Sequence, residues 1–75
     1  MRQSVINQVQ KLREQADITQ EELARVAGVT RQTIIAIEKG NYVPSALLVL
    51  KIAKYFKKPV EEVFWLYEGR SRGTD

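Results

Sequence analysis

The run Thr19-Gln20-Glu21-Glu22-Leu23-Ala24-Arg25-Val26-Ala27-Gly28-Val29-Thr30-Arg31-Gln32-Thr33-Ile34-Ile35-Ala36-Ile37-Glu38-Lys39-Gly40 decides how this chain folds. Thr19 followed three residues later by Glu22 is a capping box, in which each end satisfies an orphan amide of the other. The helix it opens runs from Gln20 to Ala27, with Leu23 and Ala27 on its inner face. Gly28 stops that helix and supplies the positive φ of a sharp turn. Thr30 is the next N-cap, and a further helix runs from Arg31 to Lys39, where Gly40 ends it. A connection of only Gly28-Val29-Thr30 makes these two short helices cross steeply.

That steep crossing is the geometry of a helix-turn-helix, and it leaves the start of the second helix standing clear of the body. The helix 31–39 has two faces. At about 100° per residue, Ile34 and Ile37 point inward, while Arg31, Gln32, Ile35, Ala36 and Lys39 lie on the opposite side. The outward set has the chemistry of base readout. Arginine donates two hydrogen bonds to guanine, glutamine pairs with adenine, and Ile and Ala offer apolar contact to a thymine methyl. An ordinary solvated surface with one stray isoleucine matches the same wheel.

Working outward, Val5, Val9, Leu12 and Ala16 recur at helical spacing and predict a first helix over Gln3 to Ala16, ended by Asp17-Ile18. Gly40 to Pro44 is a loop. Ser45 caps a fourth helix to Phe56, with Leu48, Val49, Ile52, Ala53 and Phe56 on one face. After Lys57-Lys58-Pro59, a fifth helix is predicted over Val60 to Tyr67, burying Val60, Val63, Phe64 and Tyr67. The expectation is an all-α, compact five-helix bundle. Residues 1–68 are expected to form one helix-turn-helix domain, a DNA-binding one if the outward face of helix 31–39 reads bases, and residues 69–75 a flexible tail.

The 75-residue length allows one small domain, and a hydrophobic content of 44% supports a compact core. The chain has no Cys and no His. Disulfides, thiolate metal sites and histidine-dependent acid–base catalysis are therefore excluded, and no metal or cofactor is expected. No apolar run approaches the ~18 residues of a membrane span, and residues 1–10 lack the apolar stretch of a signal peptide. A cytoplasmic protein with no membrane contact and no small-molecule ligand is expected. The net charge is +3, and residues 41–60 carry Lys51, Lys54, Lys57 and Lys58 with no acid. A field of this kind suits a polyanion on one side, and it suits a solvated surface equally. Glu21-Glu22 and Glu61-Glu62 are adjacent pairs whose side chains diverge by about 100°, so they read as caps and solvent charges, not as a catalytic couple.

Thr19 to Ala24, Gly28 to Ile34 and Ile37-Glu38-Lys39-Gly40 together resemble the Cro/repressor-type (XRE-type) helix-turn-helix. Pro44-Ser45, Lys51-Ile52-Ala53 and Val60 to Phe64 extend the likeness, which covers about Val5 to Leu66. The resemblance implies a lambda-repressor-like bundle that binds double-stranded DNA, commonly as a dimer on a palindromic operator, and no enzymatic activity. By position it implies base contacts from Arg31 and Gln32, with Ile35 and Ala36 on the same face. Polar residues often stand at those last two positions in the family, so apolar contacts to thymine are implied here. It implies phosphate contacts from Gln20, Thr30, Thr33, Lys39, Asn41 and Tyr42, with the helix-cap role of Thr30 coexisting. It also implies a structural ion pair between Arg13 and Glu38.

Two features bear on assembly. Leu47 and Leu50 lie opposite the inner face of the fourth helix, and Trp65 and Leu66 lie off the inner stripe of the fifth. Surplus apolar surface of this kind marks an interface, and Trp is a frequent hot-spot residue. A homodimer through Leu50, Trp65 and Leu66 is expected, packing of Trp65 on its own subunit being the other reading. A repressor is the leading function. The alternative is an antitoxin or other module whose main role is to bind a partner protein; only Glu68 to Asp75 remains for a partner-binding segment.

Overall fold

The computed structural model describes residues 3–68, with side-chain surroundings for residues 5–67. The elements in order are β1 (Gln3–Asn7), α1 (Val9–Gln15), α2 (Gln20–Ala27), α3 (Arg31–Glu38), α4 (Ala46–Phe56), a 3₁₀ turn (Val60–Glu62) and β2 (Phe64–Glu68). Four α-helices and a two-stranded antiparallel sheet thus replace the five helices expected. The tail assigned to residues 69–75 lies outside the described residues.

Both departures sit at the ends of the bundle. The predicted first helix begins only at Val9, because residues 3–7 pair as a strand with residues 64–68. The register places Val5 opposite Leu66, Ile6 opposite Trp65 and Asn7 opposite Phe64. The predicted fifth helix shrinks to the 3₁₀ turn before the chain extends into β2. Phe64-Trp65-Leu66-Tyr67 and Val5-Ile6 are aromatic, β-branched and leucine side chains that fit a half-buried pleated surface. Tyr67, expected in the core, is exposed in β2, whereas Val63 and Phe64 are buried as expected.

The central elements follow their local signals. Thr19 Oγ1 accepts from the Glu22 amide at 3.0 Å, and the Glu22 carboxylate accepts from the Thr19 amide at 2.8 Å, completing the capping box. Thr30 and Ser45 cap α3 and α4 by accepting from the Thr33 and Leu48 amides, without the reciprocal bond. All four helices close on a residue in the left-handed region: Asp17, Gly28, Gly40 and Lys57. In each case the following amide donates five residues back, from Ile18 to Arg13, Val29 to Ala24, Asn41 to Ala36 and Lys58 to Ala53. This is the Schellman arrangement, which satisfies carbonyls the helix leaves open.

The core is one cluster to which every helix contributes. Val9 and Leu12 of α1 meet Leu23, Ala24 and Ala27 of α2, Ile34 and Ile37 of α3, Leu48, Ile52 and Ala53 of α4, and Val63 and Phe64. Leu23, Ile34, Ile37 and Ile52 are completely buried, each worth about 1.5–3 kcal/mol by apolar transfer. α3 is therefore held from its inner side by two isoleucines one turn apart, and its other side is turned outward.

Candidate nucleic-acid interface

Arg31 and Gln32 are exposed at the first two positions of α3. Among the described residues neither makes a side-chain hydrogen bond or ion pair. Their backbone is fixed by the cap beneath them. Thr30 Oγ1 accepts from the Thr33 amide at 3.2 Å and lies 3.1 Å from the Thr33 hydroxyl. The two threonines expected at phosphate thus already bond to each other, each keeping an unused position on its hydroxyl oxygen. Ile35 and Ala36 are half-buried, less open than the helical wheel implies, while Lys39 is exposed at the far end of the same face.

The turn before α3 depends on Gly28, at φ +76°, a conformation L side chains rarely adopt. A Cβ placed there would lie 3.5 Å from Lys51 Nζ. The Lys51 ammonium therefore sits against the C-terminal end of α2, where the helix dipole favours a cation. The sequence reading placed Lys51 in the charge balance and in the family pattern, and gave it no contact with this turn.

Three side chains lock the far end of α3 to the body. Arg13 Nε donates to Glu38 Oε2 at 2.7 Å, and Arg13 Nη1 donates to the Ile18 carbonyl at 3.0 Å. The ion pair implied for these residues is present, with side chains only 11% and 4% exposed. The hydrogen bond to Glu38 raises the Arg13 pKa above its ordinary value, against the opposing effect of burial. Gln20 Nε2 donates to Glu38 Oε1 at 3.0 Å. The side chain expected at phosphate is thus anchored to the ion pair, a contact with no local sequence signal. Gln20, Thr19 and Arg31 nonetheless line one open groove of about 550 Å³, with Arg13 at its wall. The start of α2 and the start of α3 therefore present a common surface.

Asn41 and Tyr42 are exposed in the loop after α3, and the Asn41 amide closes the helix by donating to Ala36. Asn7 is a residue the sequence reading missed. Its Oδ1 accepts from the Val9 amide at 3.0 Å, and its Nδ2 donates to the Ile37 carbonyl at 3.0 Å. An Asn just ahead of a helix is a start signal, hidden here because the first helix was drawn through it. Among the described residues no helix is long and apolar enough to cross a membrane, and no cluster of acidic side chains is arranged to hold a metal ion.

A family model described as helix-turn-helix matches residues 9–63. The chain belongs to the Cro/repressor-type (XRE-type) helix-turn-helix family. The matched span begins with α1 and stops at Val63, so both strands of the sheet lie outside it. This helix-turn-helix protein is 56% identical over 62 residues to YgzD, an HTH-type transcriptional regulator of Bacillus subtilis, covering 83% of this chain and 94% of that one. It is 37% identical over 57 residues to RstR, the cryptic phage CTXphi transcriptional repressor of Vibrio cholerae, covering 76% of this chain and 51% of the repressor. Among solved structures it resembles the restriction-modification controller protein C.AhdI from Aeromonas hydrophila. The TM-score is 0.67 at 28% identity, covering 72% of this chain and 82% of that one. The family is one of transcription regulators, not of enzymes.

Proposed function

We propose that this helix-turn-helix protein is a sequence-specific repressor of transcription. It binds double-stranded DNA in the cytoplasm as a homodimer on a palindromic operator, with α3 in the major groove. The observation that carries this reading is the pair Arg31 and Gln32. They are exposed and unengaged among the described residues, at the capped start of a helix whose inner side is held by Ile34 and Ile37. Side chains that reach base edges need this arrangement, a rigid backbone and free donors.

The remaining contacts divide by chemistry. Ile35 and Ala36 meet thymine methyl groups. Gln20, Thr30, Thr33, Lys39, Asn41 and Tyr42 lie along phosphates and fix register without selecting sequence. Leu50, Trp65 and Leu66, which are 57%, 41% and 63% exposed, contribute to the dimer interface from α4 and from the two sides of β2. A two-fold pair then sets its reading helices about 34 Å apart, one turn of DNA. The repressor relative RstR and the controller neighbour C.AhdI support a role in switching transcription.

Selection of bound sequences from random duplex DNA tests the proposal. The expected product is a palindrome with half-sites one helical turn apart. Recovery of no preferred sequence would overturn it.

A further inference from the structure

We propose that Asn7 is a positioning residue that fixes the angle between the reading helix and the two-stranded sheet. In the dimer it thereby sets the distance between the two reading helices. This rests on the dimer reading above, because the spacing follows from the sheet only if the sheet lies at the two-fold interface.

The argument begins with how the sheet meets the rest of the molecule. β1 and β2 close only on each other, and the register puts Asn7 opposite Phe64 at the root of the pair. Phe64 is buried and Val5 packs on the core, so this face of the sheet looks toward the bundle. Trp65 and Ile6 pair on the other face. Between β1 and the end of α3 the packing is open. A cavity of about 210 Å³ there is lined by Val5, Ile6, Asn7, Glu38, Lys39 and Gly40.

Across that gap Asn7 forms a polar tie. Its amide nitrogen donates to the Ile37 carbonyl in the last turn of α3, and its amide oxygen accepts from the first turn of α1. One planar group of fixed length thus joins three elements: the strand that carries it, the helix that follows it and the helix that presents Arg31. α1 is joined to α3 again through Arg13 and Glu38. The relation of α1 to α3 is therefore doubly fixed, while the polar tie between the sheet and α3 is Asn7, beside the apolar packing of Phe64 and Val5 on the core. An apolar residue at position 7 would leave the Ile37 carbonyl with only the Gly40 amide as donor, and the angle of the sheet to α3 would then be set by apolar packing, which is less directional.

Asn7→Asp is the informative substitution. A carboxylate still accepts from the Val9 amide, and Asp is a good helix cap, but it has no proton to give the Ile37 carbonyl. The full-length protein is tested on the selected operator and on versions with one base pair added or removed between half-sites. The wild type should lose about tenfold in affinity on either altered spacing, and Asn7→Asp should lose only about two- to threefold, with affinity for a single half-site unchanged. Asn7→Ala should behave alike. A purely structural role lowers the melting temperature and leaves the spacing preference where it was, and that result would overturn the proposal. Failure of both variants to fold at low temperature would overturn it too, since the residue would then serve the fold and not the angle. Sedimentation of the wild type separates this from the dimer reading: a monomeric wild type defeats the dimer, whereas an unaltered spacing preference in a dimeric variant defeats only the role of Asn7.

Discussion

Arg13 and Glu38, 25 residues apart in the chain, meet through an Nε–Oε2 contact of 2.7 Å with both side chains nearly buried. The pair joins the end of the reading helix to α1; Arg13 Nη2 also donates to Glu38 Oε1 at 3.4 Å, and Gln20 adds a third donor to the same carboxylate. Glu38→Ala strands a buried guanidinium and should cost about 3–5 kcal/mol, enough to unfold much of so small a domain. Arg13→Met with Glu38→Leu removes both charges and should cost far less than the two single changes summed. Urea titration of the four proteins in a double-mutant cycle gives the answer. Additive losses would show that the two charges do not support each other.

Arg31 and Lys39 stand at opposite ends of the outward face of α3 and should differ in kind. Arg31→Ala should weaken binding to the selected operator by about 1–3 kcal/mol and relax one base preference. Lys39→Ala should weaken all sequences alike and reduce the slope of log affinity against log salt by about one. Both changes are at exposed positions, so melting temperatures should hold. Salt-dependent binding on operator and non-operator duplexes separates the two. Intact discrimination in Arg31→Ala would remove it from the reading face.

Helix ends offer a test of stability apart from function. Lys57 occupies the left-handed position at the end of α4 at φ +58°, the role that Gly28 and Gly40 fill elsewhere. A side chain there costs about 1–2 kcal/mol, partly offset by the greater freedom glycine loses on folding. Lys57→Gly should therefore stabilise the protein by about 0.5–1 kcal/mol and raise the melting temperature by several degrees. Gly28→Ala should destabilise by about 1–2 kcal/mol. Its Cβ would meet Lys51 Nζ only at ordinary contact distance, so the cost is conformational and not steric. Thermal melts of both variants check the signs.

These helix ends also show what the sequence makes legible. Gly28 and Gly40 announce their turns because glycine is the residue that adopts them freely, and Thr19, Thr30 and Ser45 announce helix starts through chemistry within three residues. α2, α3 and α4 are local events, and the candidate reading face is local with them. Asp17 and Lys57 end helices in the same conformation without a glycine to mark it. The sheet is different in kind. Its strands lie at opposite ends of the domain, so no residue near Val5 in the sequence points to its partner Leu66. The helical spacing of Val5, Val9, Leu12 and Ala16 was satisfied by a chain that leaves the helix before Val9, so periodicity alone chose the wrong element. Gln20 is legible as a helix-start residue, but its bond to Glu38 is not: the contact spans 18 residues, and no neighbour in the sequence points to it.

The strands change how the dimer should be tested. Trp65 and Leu66 alternate to opposite faces of β2, so they do not form one stripe as they would on a helix. Trp65 lies with Ile6, and Leu66 lies with Val5. Leu66 is the more exposed of the two, and its replacement removes little from the monomer. Leu66→Glu should therefore keep the fold and oppose association through a charge carried into the interface on both copies of a two-fold pair. Trp65→Ala should weaken the dimer about 30-fold or more if the indole is an interface anchor, a loss of about 2 kcal/mol. If the indole instead packs on its own sheet, the same change should lower monomer stability and leave association alone. Sedimentation across a concentration series, with melts at the dilute end, distinguishes these outcomes. A wild type that stays monomeric at high micromolar concentration would refute the dimer.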